Sequence, residues 1–373
     1  MIGIHRLAAY VGSAALDLGE LARARNRDPH EVCDTLLADE RTVLAPWEDP
    51  VTQAVAAARR VLDPATTERV RWLLVATESS LDEEKPLSSW VHHWLGLPTT
   101  CRNLEVKHAC YGGTGALRLL QAWLAAEGGP QDLALLVTTD LSLLGLQEPH
   151  ESVLGAGATA LLLSHDPDLV ALEPASAAGV FAREVTDVIR PTPWLETGSS
   201  ETSLFAYLDA VDGTFDAWEA LHGPIDVDAD FRAQVYHAPF GGITARAHER
   251  ALLRAHPEWS RRRCREHFER RVAPALTVHR RVGGVYAGST FLSLLGQLLA
   301  HPELRPGDPM GVFSYGSGSC AELYRCHLGP HPDRVDDPRE RLASRRSLDV
   351  ATYERWERER SERRGLASWR PQE

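Results

Sequence analysis

The sequence contains little lysine and no long apolar segment. Lysine occurs only at Lys85 and Lys107, so nearly all of the positive charge is arginine. The 52 acidic residues outnumber the 40 lysines and arginines, which gives a formal net charge of −12. Because phosphate contact needs clustered basic residues, this balance argues against a nonspecific nucleic-acid partner. No apolar run approaches the roughly 20 residues of a membrane helix, so we expect no membrane segment.

Paired metal or disulfide motifs and a secretory leader are also missing. Six cysteines are scattered along the chain without a Cys-x-x-Cys pair, which argues against a disulfide framework and a structural zinc site. The adjacent His92 and His93 are a poor metal pair, since neighbouring residues on a helix point in different directions. Residues 1–6 lack the basic segment and apolar stretch of a signal peptide. We therefore expect reduced thiols, no metal and a cytoplasmic location.

The order of apolar segments indicates a layered α/β protein. Residues 49–62 predict a helix that begins at Asp49 and Pro50, a favourable N-cap and first-turn pair. Residues 71–78 and 132–140 predict buried strands, and further strands and helices alternate with them. A length of 373 residues suggests two domains. We place them at 1–166 and 167–330, followed by a charged extension at 331–373 that packs on the scaffold.

Cys110 is the strongest candidate for a nucleophile. It stands between a polar segment and the helix-forming residues 116–126, which places it near a helix N-terminus. The unpaired N–H groups and the positive dipole end there favour a thiolate. The following Gly112, Gly113 and Gly115 let another group approach the sulfur closely. A small buried cysteine in a glycine-rich packing contact is the alternative for this motif alone.

Three further features lie at predicted strand ends or turns. Glu78 follows the strand at 71–77, His237 ends a strand at 231–237, and a turn at Gly316, Ser317 and Gly318 follows an apolar run. Alone, Glu78 could be a surface carboxylate, and His237 is one of 16 histidines. The glycine turn alone could be an ordinary turn.

In combination, Glu78, Cys110, His237 and the glycine turn resemble 3-hydroxy-3-methylglutaryl-CoA synthase, a condensing enzyme of the thiolase superfamily. The resembling segments span most of the chain, at 49–52, 77–79, 109–114, 155–158, 237–240, 282–286 and 314–318. The resemblance implies a thiolase-like duplicated layered α/β/α/β/α fold and a homodimer. An initiating ketosynthase fits less well, because it would use an asparagine and a second histidine in place of Glu78.

Residues 82–92 and 239–242 look more like one branch of that family, which serves polyketide β-branching. The branch implies that an acetyl-derived carbanion attacks the β-ketone of a β-ketoacyl thioester on an acyl carrier protein. Acyl carrier protein would be both donor and acceptor, with phosphopantetheine or coenzyme A as the substrate carrier and no tightly bound cofactor. Mevalonate-pathway enzymes commonly carry a lysine where this chain has Gly242. The coenzyme A enzyme remains an alternative, as does a noncatalytic carrier-protein-binding homologue.

The resemblance also implies roles for individual residues. Cys110 would take the acetyl group, Glu78 would remove a methyl proton, and His237 would hydrogen-bond the acceptor ketone. The N–H of Cys110 and one from the Gly316–Gly318 turn would stabilise the enolate oxygen. Other residues expected to contact the substrate are Tyr111, Tyr207 and Gly284, and less firmly Arg190. Arg246 and Arg250, together with Arg254, are expected to contact the carrier protein. At Gly284 the family normally has an asparagine near the acetoacetyl group, so its absence puts the activity in question.

Overall fold

The computed structural model describes residues 1–141, 145–148, 150–192, 195–300 and 303–364. Its strands are β1 (Gly3–Tyr10), β2 (Ala14–Asp17), β3 (Glu40–Val43), β4 (Val70–Ala76), β5 (Arg102–Val106), β6 (Leu133–Leu141), β7 (Ala156–Ser164), β8 (Val170–Leu172), β9 (Gly179–Ala182), β10 (Val188–Thr192), β11 (Leu195–Gly198), β12 (Ala233–Tyr236), β13 (Pro309–Gly316), β14 (Cys320–Leu328) and β15 (Arg346–Leu348). Its α-helices are α1 (Leu18–Ala24), α2 (Pro29–Leu36), α3 (Pro50–Ala58), α4 (Pro64–Thr67), α5 (Leu87–Leu95), α6 (Gly112–Ala126), α7 (Ser200–His222), α8 (Val227–Asp230), α9 (Gly241–Ala255), α10 (Arg261–Arg271), α11 (Leu276–Val282), α12 (Ser289–Ala300), α13 (Arg339–Ala343) and α14 (Val350–Arg364).

One large sheet runs through both halves of the chain and joins them where β1 pairs with β8. From β1 the first half continues through β7, β6 and β4 to β5, and from β8 the second half continues through β14 and β13 to β12. The halves repeat one pattern. β4 lies parallel to β6, which is antiparallel to β7, and β12 lies parallel to β13, which is antiparallel to β14. Glu78 and His237 therefore follow corresponding strands.

Helices α6 and α12 pack against each other in the middle of the molecule. Leu117, Leu120 and Leu124 of α6 share one buried cluster with Phe291 and other apolar residues of α12. Helices α3 and α5 cover the outer face of the first half of the sheet, and α7, α9 and α10 cover that of the second. The layers therefore alternate as helix, sheet, helix, sheet, helix.

Local sequence signals account for several of these elements. The Asp49 carboxylate accepts a hydrogen bond from the Thr52 N–H at 2.7 Å, and the Asp49 N–H donates to the Thr52 hydroxyl at 2.8 Å, so α3 begins at a capping box. The strands predicted at 71–78 and 132–140 are β4 and β6. Two expectations differ from the structure. The proline-containing residues 190–198 would be expected to form a loop, but residues 190–192 and 195–198 lie in the paired strands β10 and β11. The polar segment before Cys110 contains β5.

Part of the C-terminal segment is built into the scaffold. β15 pairs with β2, and Tyr353 and Trp356 of α14 are buried in a cluster with residues of α1 and β2. Residues 365–373 of the predicted extension lie outside the described residues. Among the helices of the described ranges, none has both the length and the apolar character that crossing a bilayer requires.

Candidate active site

Cys110 lies in a tight turn that leads directly into a helix. The 3₁₀ turn Ala109–Tyr111 precedes α6, and the N–H groups of Tyr111 and Gly112 donate to the His108 carbonyl, each at 3.1 Å. Ala109 has a φ of +42°, a conformation that residues other than glycine rarely adopt. The structure thus places the Cys110 thiol at the start of α6. The unfavourable backbone conformation of Ala109 must be maintained by contacts with the surrounding residues.

The electrostatic environment of Cys110 does not favour a thiolate. Burial raises the pKa of the thiol well above its usual value, and the nearby carboxylates of Asp140, Glu78, Glu196 and Asp187 raise it further. The expectation that the helix N-terminus yields a resting thiolate is therefore wrong, because burial and four acidic groups outweigh the dipole. Cys110 needs a base to take its proton when it attacks.

Glu78 lies just beyond β4, where its backbone is held by Asp140. The Glu78 N–H donates to Asp140 Oδ1 at 2.8 Å, and the Ser79 hydroxyl donates to the same oxygen at 3.0 Å. Burial raises the pKa of the Glu78 carboxyl, while the positive charges of Lys107 and Arg190 partly oppose this. Its Oε1 is buried without a hydrogen-bond partner in the described structure. A carboxylate with a raised pKa and a free oxygen suits a general base.

The hairpin β10–β11 brings a cation and a carboxylate to Glu78. Arg190 Nη1 donates to the backbone carbonyl of Glu78. Arg190 Nη2 donates to Glu196 Oε2 at 2.6 Å and to the Tyr286 hydroxyl at 3.0 Å, and that hydroxyl donates to Glu196 at 3.2 Å. Sequence analysis missed Glu196, Tyr286 and Asp140 as site residues. The only available signals were the position of Asp140 at the end of a buried strand and of Tyr286 within a resembling segment.

His237 follows β12 and is fully buried. Its N–H donates to the Phe313 carbonyl at 2.7 Å, and its carbonyl accepts the Tyr207 hydroxyl at 2.7 Å. Nδ1 lies 3.3 Å from the Thr290 hydroxyl, and Nε2 has no partner within the described residues. Burial, together with the nearby His279, lowers the pKa of His237 to about 3. The imidazole is therefore neutral; in the tautomer in which Thr290 donates to Nδ1, Nε2 carries the ring proton and has no partner among the described residues.

Tyr207, expected at the substrate, lies behind His237 in this structure. Its side chain is buried, its ring packs edge-on against Phe313 and Tyr315 at 5.3 and 5.2 Å, and its hydroxyl is used by the His237 carbonyl. Tyr207 thus orients the segment that carries His237. Direct contact with substrate stays a prediction.

The glycine turn after β13 packs on the Cys110 turn. A Cβ added to Gly316 would lie 2.4 Å from the Tyr111 nitrogen and 2.7 Å from the Tyr111 Cβ, so only glycine permits this approach. Gly318 has a φ of +123°, which also favours glycine. Two segments separated by about 200 positions thus meet, as the oxyanion role expected of Gly316, Ser317 and Gly318 requires.

Gly284 has no room for the asparagine that the family resemblance would place there. Its N–H donates to the Val153 carbonyl at 3.0 Å, and its carbonyl accepts the Gly155 N–H at 2.9 Å. An added Cβ would lie 2.4 Å from the Pro239 carbonyl oxygen. The segment after His237 therefore closes over this position, and backbone rather than an amide side chain occupies the space.

The three arginines considered for carrier binding differ in their surroundings. Arg250 donates to Asp212 at 2.8 Å through Nε, and Arg254 donates to Asp216 at 2.6 Å and to Glu219 at 3.0 Å. Both guanidinium groups are therefore paired with α7. Arg246 is exposed and forms no ion pair within the described part of the chain.

Thiols and metal ligands add no second centre. All six cysteines are free thiols. His92 Nε2 lies 3.1 Å from the Pro98 carbonyl oxygen. Across the residues that the structure describes, no group of three or more His, Cys, Asp or Glu side chains is placed to hold a metal ion.

Comparisons with known proteins found similar sequences and similar structures. The family profile "Hydroxymethylglutaryl-coenzyme A synthase C terminal" matches residues 254–362. The polyketide biosynthesis 3-hydroxy-3-methylglutaryl-ACP synthase PksG of Bacillus subtilis (strain 168) is 32% identical over 368 residues, covering 94% of this chain and 87% of that protein. The hydroxymethylglutaryl-CoA synthase of Enterococcus faecalis is 30% identical over 362 residues, covering 95% and 90%.

Among solved structures, the HMG synthase of the curacin biosynthetic pathway superposes with a TM-score of 0.90 at 32% identity, covering 96% of this chain and 89% of that one. The same enzyme has been solved with apo, holo and acetyl donor-ACP. An HMG-CoA synthase complexed with CoA superposes with a TM-score of 0.88 at 28% identity, covering 95% and 89%. The predicted layered fold is confirmed by this likeness.

Proposed function

Because the chain belongs to the hydroxymethylglutaryl-CoA synthase family, we propose that it condenses an acetyl unit held on Cys110 with a β-ketoacyl thioester on an acyl carrier protein. The enzyme is an acyltransferase that forms a carbon–carbon bond. Its product is a 3-hydroxy-3-carboxymethyl thioester, the intermediate from which a polyketide β-branch is made. The observation that carries the proposal is that a largely buried carboxyl group with a raised pKa, that of Glu78, is near enough for its charge to act on the Cys110 thiol.

The first step is acetyl transfer to Cys110. The sulfur attacks the donor thioester carbonyl, the donor thiol leaves, and the proton of Cys110 is returned to that thiol. Because the Cys110 thiol is protonated at rest, a nearby base must carry this proton, and Glu78 is the candidate. Exchange between two thioesters is close to isoenergetic, so positioning decides the rate.

The second step forms the carbon–carbon bond. Glu78 takes a proton from the acetyl methyl, and the enolate carbon attacks the β-ketone of the acceptor. N–H groups of the Cys110 and Gly316–Gly318 turns stabilise the enolate oxygen. The free Nε2–H of His237 donates to the ketone oxygen as it gains charge. Water then cleaves the thioester at Cys110 and releases the product.

The surroundings of Gly242 favour a carrier protein over coenzyme A as the substrate carrier. In the coenzyme A enzymes a lysine commonly stands at the position of Gly242. A Cβ added to Gly242 would lie 2.0 Å from the Thr35 carbonyl oxygen, so no side chain fits there. Together with the likeness to a synthase named for its ACP substrate, this favours a carrier-bound donor and acceptor.

Intact-protein mass spectrometry tests donor choice and turnover together. The enzyme is mixed with acetyl-carrier protein or, separately, with acetyl-CoA, and an acetoacetyl-carrier acceptor is then added. We expect acetylation from the carrier, loss of acetylation in Cys110→Ala, and, in Glu78→Gln, slowed acetylation and an acetyl-enzyme that does not proceed to product. Faster acetylation from acetyl-CoA would favour the mevalonate-type enzyme. A wild type that accepts no acetyl group from either donor would favour a noncatalytic carrier-binding homologue, for which Gly284 is the one supporting feature.

Arg246 is the best candidate of the three arginines predicted at the carrier surface. Its exposed guanidinium is free to meet an acidic carrier helix or a phosphopantetheine phosphate, whereas that of Arg250 is paired with Asp212. Arg246→Glu should raise KM for the donor carrier up to about fivefold, the effect of a single exposed charge pair. Arg250→Ala is the matched control on the same helix. Equal KM values for Arg246→Glu and wild type would remove Arg246 from the interface.

A homodimer and a cytoplasmic location remain predictions. Support for the dimer comes from β5, which lies at the end of the sheet order with one edge unpaired. Leu104 of β5 is 49% exposed and Leu119 of α6 is 58% exposed. Such an edge is typically covered by another element or chain. Light scattering on the wild type and on Leu119→Glu should show a dimer that dissociates in the variant; a monomeric wild type would contradict the prediction.

A further inference from the structure

A buried ion pair lies directly behind the turn that carries Cys110. Arg118 of α6 donates through Nε to Glu322 Oε1 at 2.6 Å, and the second oxygen of that carboxylate accepts the Tyr111 hydroxyl at 3.0 Å. The Arg118 and Glu322 side chains are only 9% and 3% exposed. Tyr111 adjoins Cys110 in sequence, so the pair is linked to the nucleophile by one residue.

The guanidinium of Arg118 is fixed by further contacts. Its Nη1 donates to Gln121 Oε1 at 2.8 Å and to the Glu173 carbonyl at 3.2 Å, and its plane lies 4.3 Å from the centre of the Tyr324 ring. An arginine held on several sides gives the Glu322 carboxylate little freedom. Buried ion pairs generally contribute little net stability, because removing two charges from water offsets their attraction. Fixing a geometry is a better explanation for this pair than stabilising the fold.

The Cys110 turn is one that needs such support. Ala109 has a φ of +42°, which is unfavourable for alanine. On the other side of Cys110, Tyr111 meets Gly316 so closely that a Cβ on the glycine would lie 2.4 Å from the Tyr111 nitrogen. If Tyr111 shifts, both Cys110 and its contact with the glycine turn shift with it.

We propose that Glu322, held by Arg118, is a positioning residue that anchors Tyr111 and thereby sets Cys110 against the Gly316–Gly318 turn. The proposal rests on the proposed function, because it assigns this anchor to acyl transfer at Cys110. Tyr111 is then a positioning residue, whose hydroxyl is used by Glu322.

Two measurements on Tyr111→Phe test the anchor, and they should change in opposite directions. Acetylation of Cys110 should slow by about 10- to 100-fold at unchanged KM for the donor, since small displacements of a nucleophile have effects of this size. Alkylation of Cys110 by iodoacetamide should become several-fold faster, because a looser turn admits water and relieves the burial that raises the pKa of the thiol. Glu322→Gln, which keeps an acceptor for Tyr111 but removes the charge facing Arg118, should show the same changes more weakly.

Tyr324→Phe is the matched control, because it removes a buried hydroxyl near Arg118 but keeps the ring that the guanidinium lies over. It should leave both rates at their wild-type values. If Tyr111→Phe lowers the melting temperature but leaves both rates of the folded protein unchanged, the network is purely structural and the proposal is overturned. Alkylation needs no substrate. It therefore tests the positioning role of Tyr111 and Glu322 even if the wild type accepts an acetyl group from no donor and the proposed function is wrong.

Discussion

Placing at position 284 the asparagine that the family resemblance implies should damage this enzyme. In the structure a Cβ on Gly284 would lie 2.4 Å from the Pro239 carbonyl oxygen, whereas real Cβ atoms essentially never approach closer than 3.0 Å. The backbones of Gly284 and Pro239 must therefore move apart by at least the difference between these two distances. Gly284 cannot easily retreat, because its N–H and carbonyl are bonded to Val153 and Gly155. Most of the movement must fall on Pro239 and on His237, two residues before it.

Overpacking of this kind typically costs about 1–3 kcal/mol. With an unfolding entropy of roughly 2.1 cal/mol/K per residue, the 373 residues give a fall in melting temperature of about 1–4 °C for Gly284→Asn and Gly284→Ala. Acetylation of Cys110 should stay near its wild-type rate, because Cys110 lies on another segment. Condensation should slow by about tenfold or more, because displacement of His237 misaligns its donor on the acceptor ketone.

Scanning fluorimetry and the two partial reactions, followed by mass spectrometry, measure these effects. Gly145→Ala is the control, because the nearest contact of its added Cβ within the described part of the chain would be Glu148 Cγ at 3.5 Å. It should leave melting temperature and both rates unchanged. A Gly284→Asn enzyme that melts at the wild-type temperature and condenses faster would refute the reasoning, and would mean that the Pro239 segment yields to an asparagine at little cost.

Three further predictions concern pH, thiol reactivity and capping. Burial lowers the pKa of His237 to about 3 and that of His279 to about 4, so below pH 6.5 the unfolded chain takes up protons that the folded chain does not. The contribution of these two histidines to stability should therefore be complete above pH 6.5 and be lost progressively as the pH is lowered toward 4, with a smaller fall in melting temperature in His279→Gln; an equal fall would contradict this. Alkylation of Cys110 should be slow at neutral pH and faster in Glu196→Gln, which removes a charge that raises the thiol pKa; peptide mass spectrometry measures the rate, and a slower variant would count against the assignment. Asp49→Ala should lower the free energy of unfolding by about 1 kcal/mol through loss of the α3 cap, and an unchanged urea midpoint would show that the cap contributes nothing.

The elements best predicted from sequence are those whose signals are local. β6 is buried at every position, so its unbroken apolar run is sufficient evidence of a central strand. The Asp49 and Pro50 pair marks the start of α3 for a similarly local reason. The extent of α3 was less predictable, because the apolar spacing continues to residue 62 while the helix ends at Ala58.

The parts of the site that depend on long-range contacts were not predictable. Arg190 reaches the Glu78 carbonyl across 112 positions, and no periodicity in a proline-containing segment indicates that contact. Arg118 has the spacing of an ordinary helix residue, and only the fold reveals that it faces Glu322 from the far half of the chain. The expectation of a lowered pKa for Cys110 was wrong for the same reason. The helix start is visible in the sequence, but the carboxylates near Cys110 come from separate segments.

The shared middle layer has a consequence for how such a chain could have arisen. Each half presents to α6 and α12 an apolar face that is buried only because the other half is present, and β1 would lose its neighbour β8 if the chain were cut between residues 166 and 167. A half-length ancestor would therefore have needed a second copy of itself to be soluble, and fusion of the two copies would have made that association permanent. Expressed as two fragments divided at this point, the halves should be insoluble apart and recover the fold only when produced together.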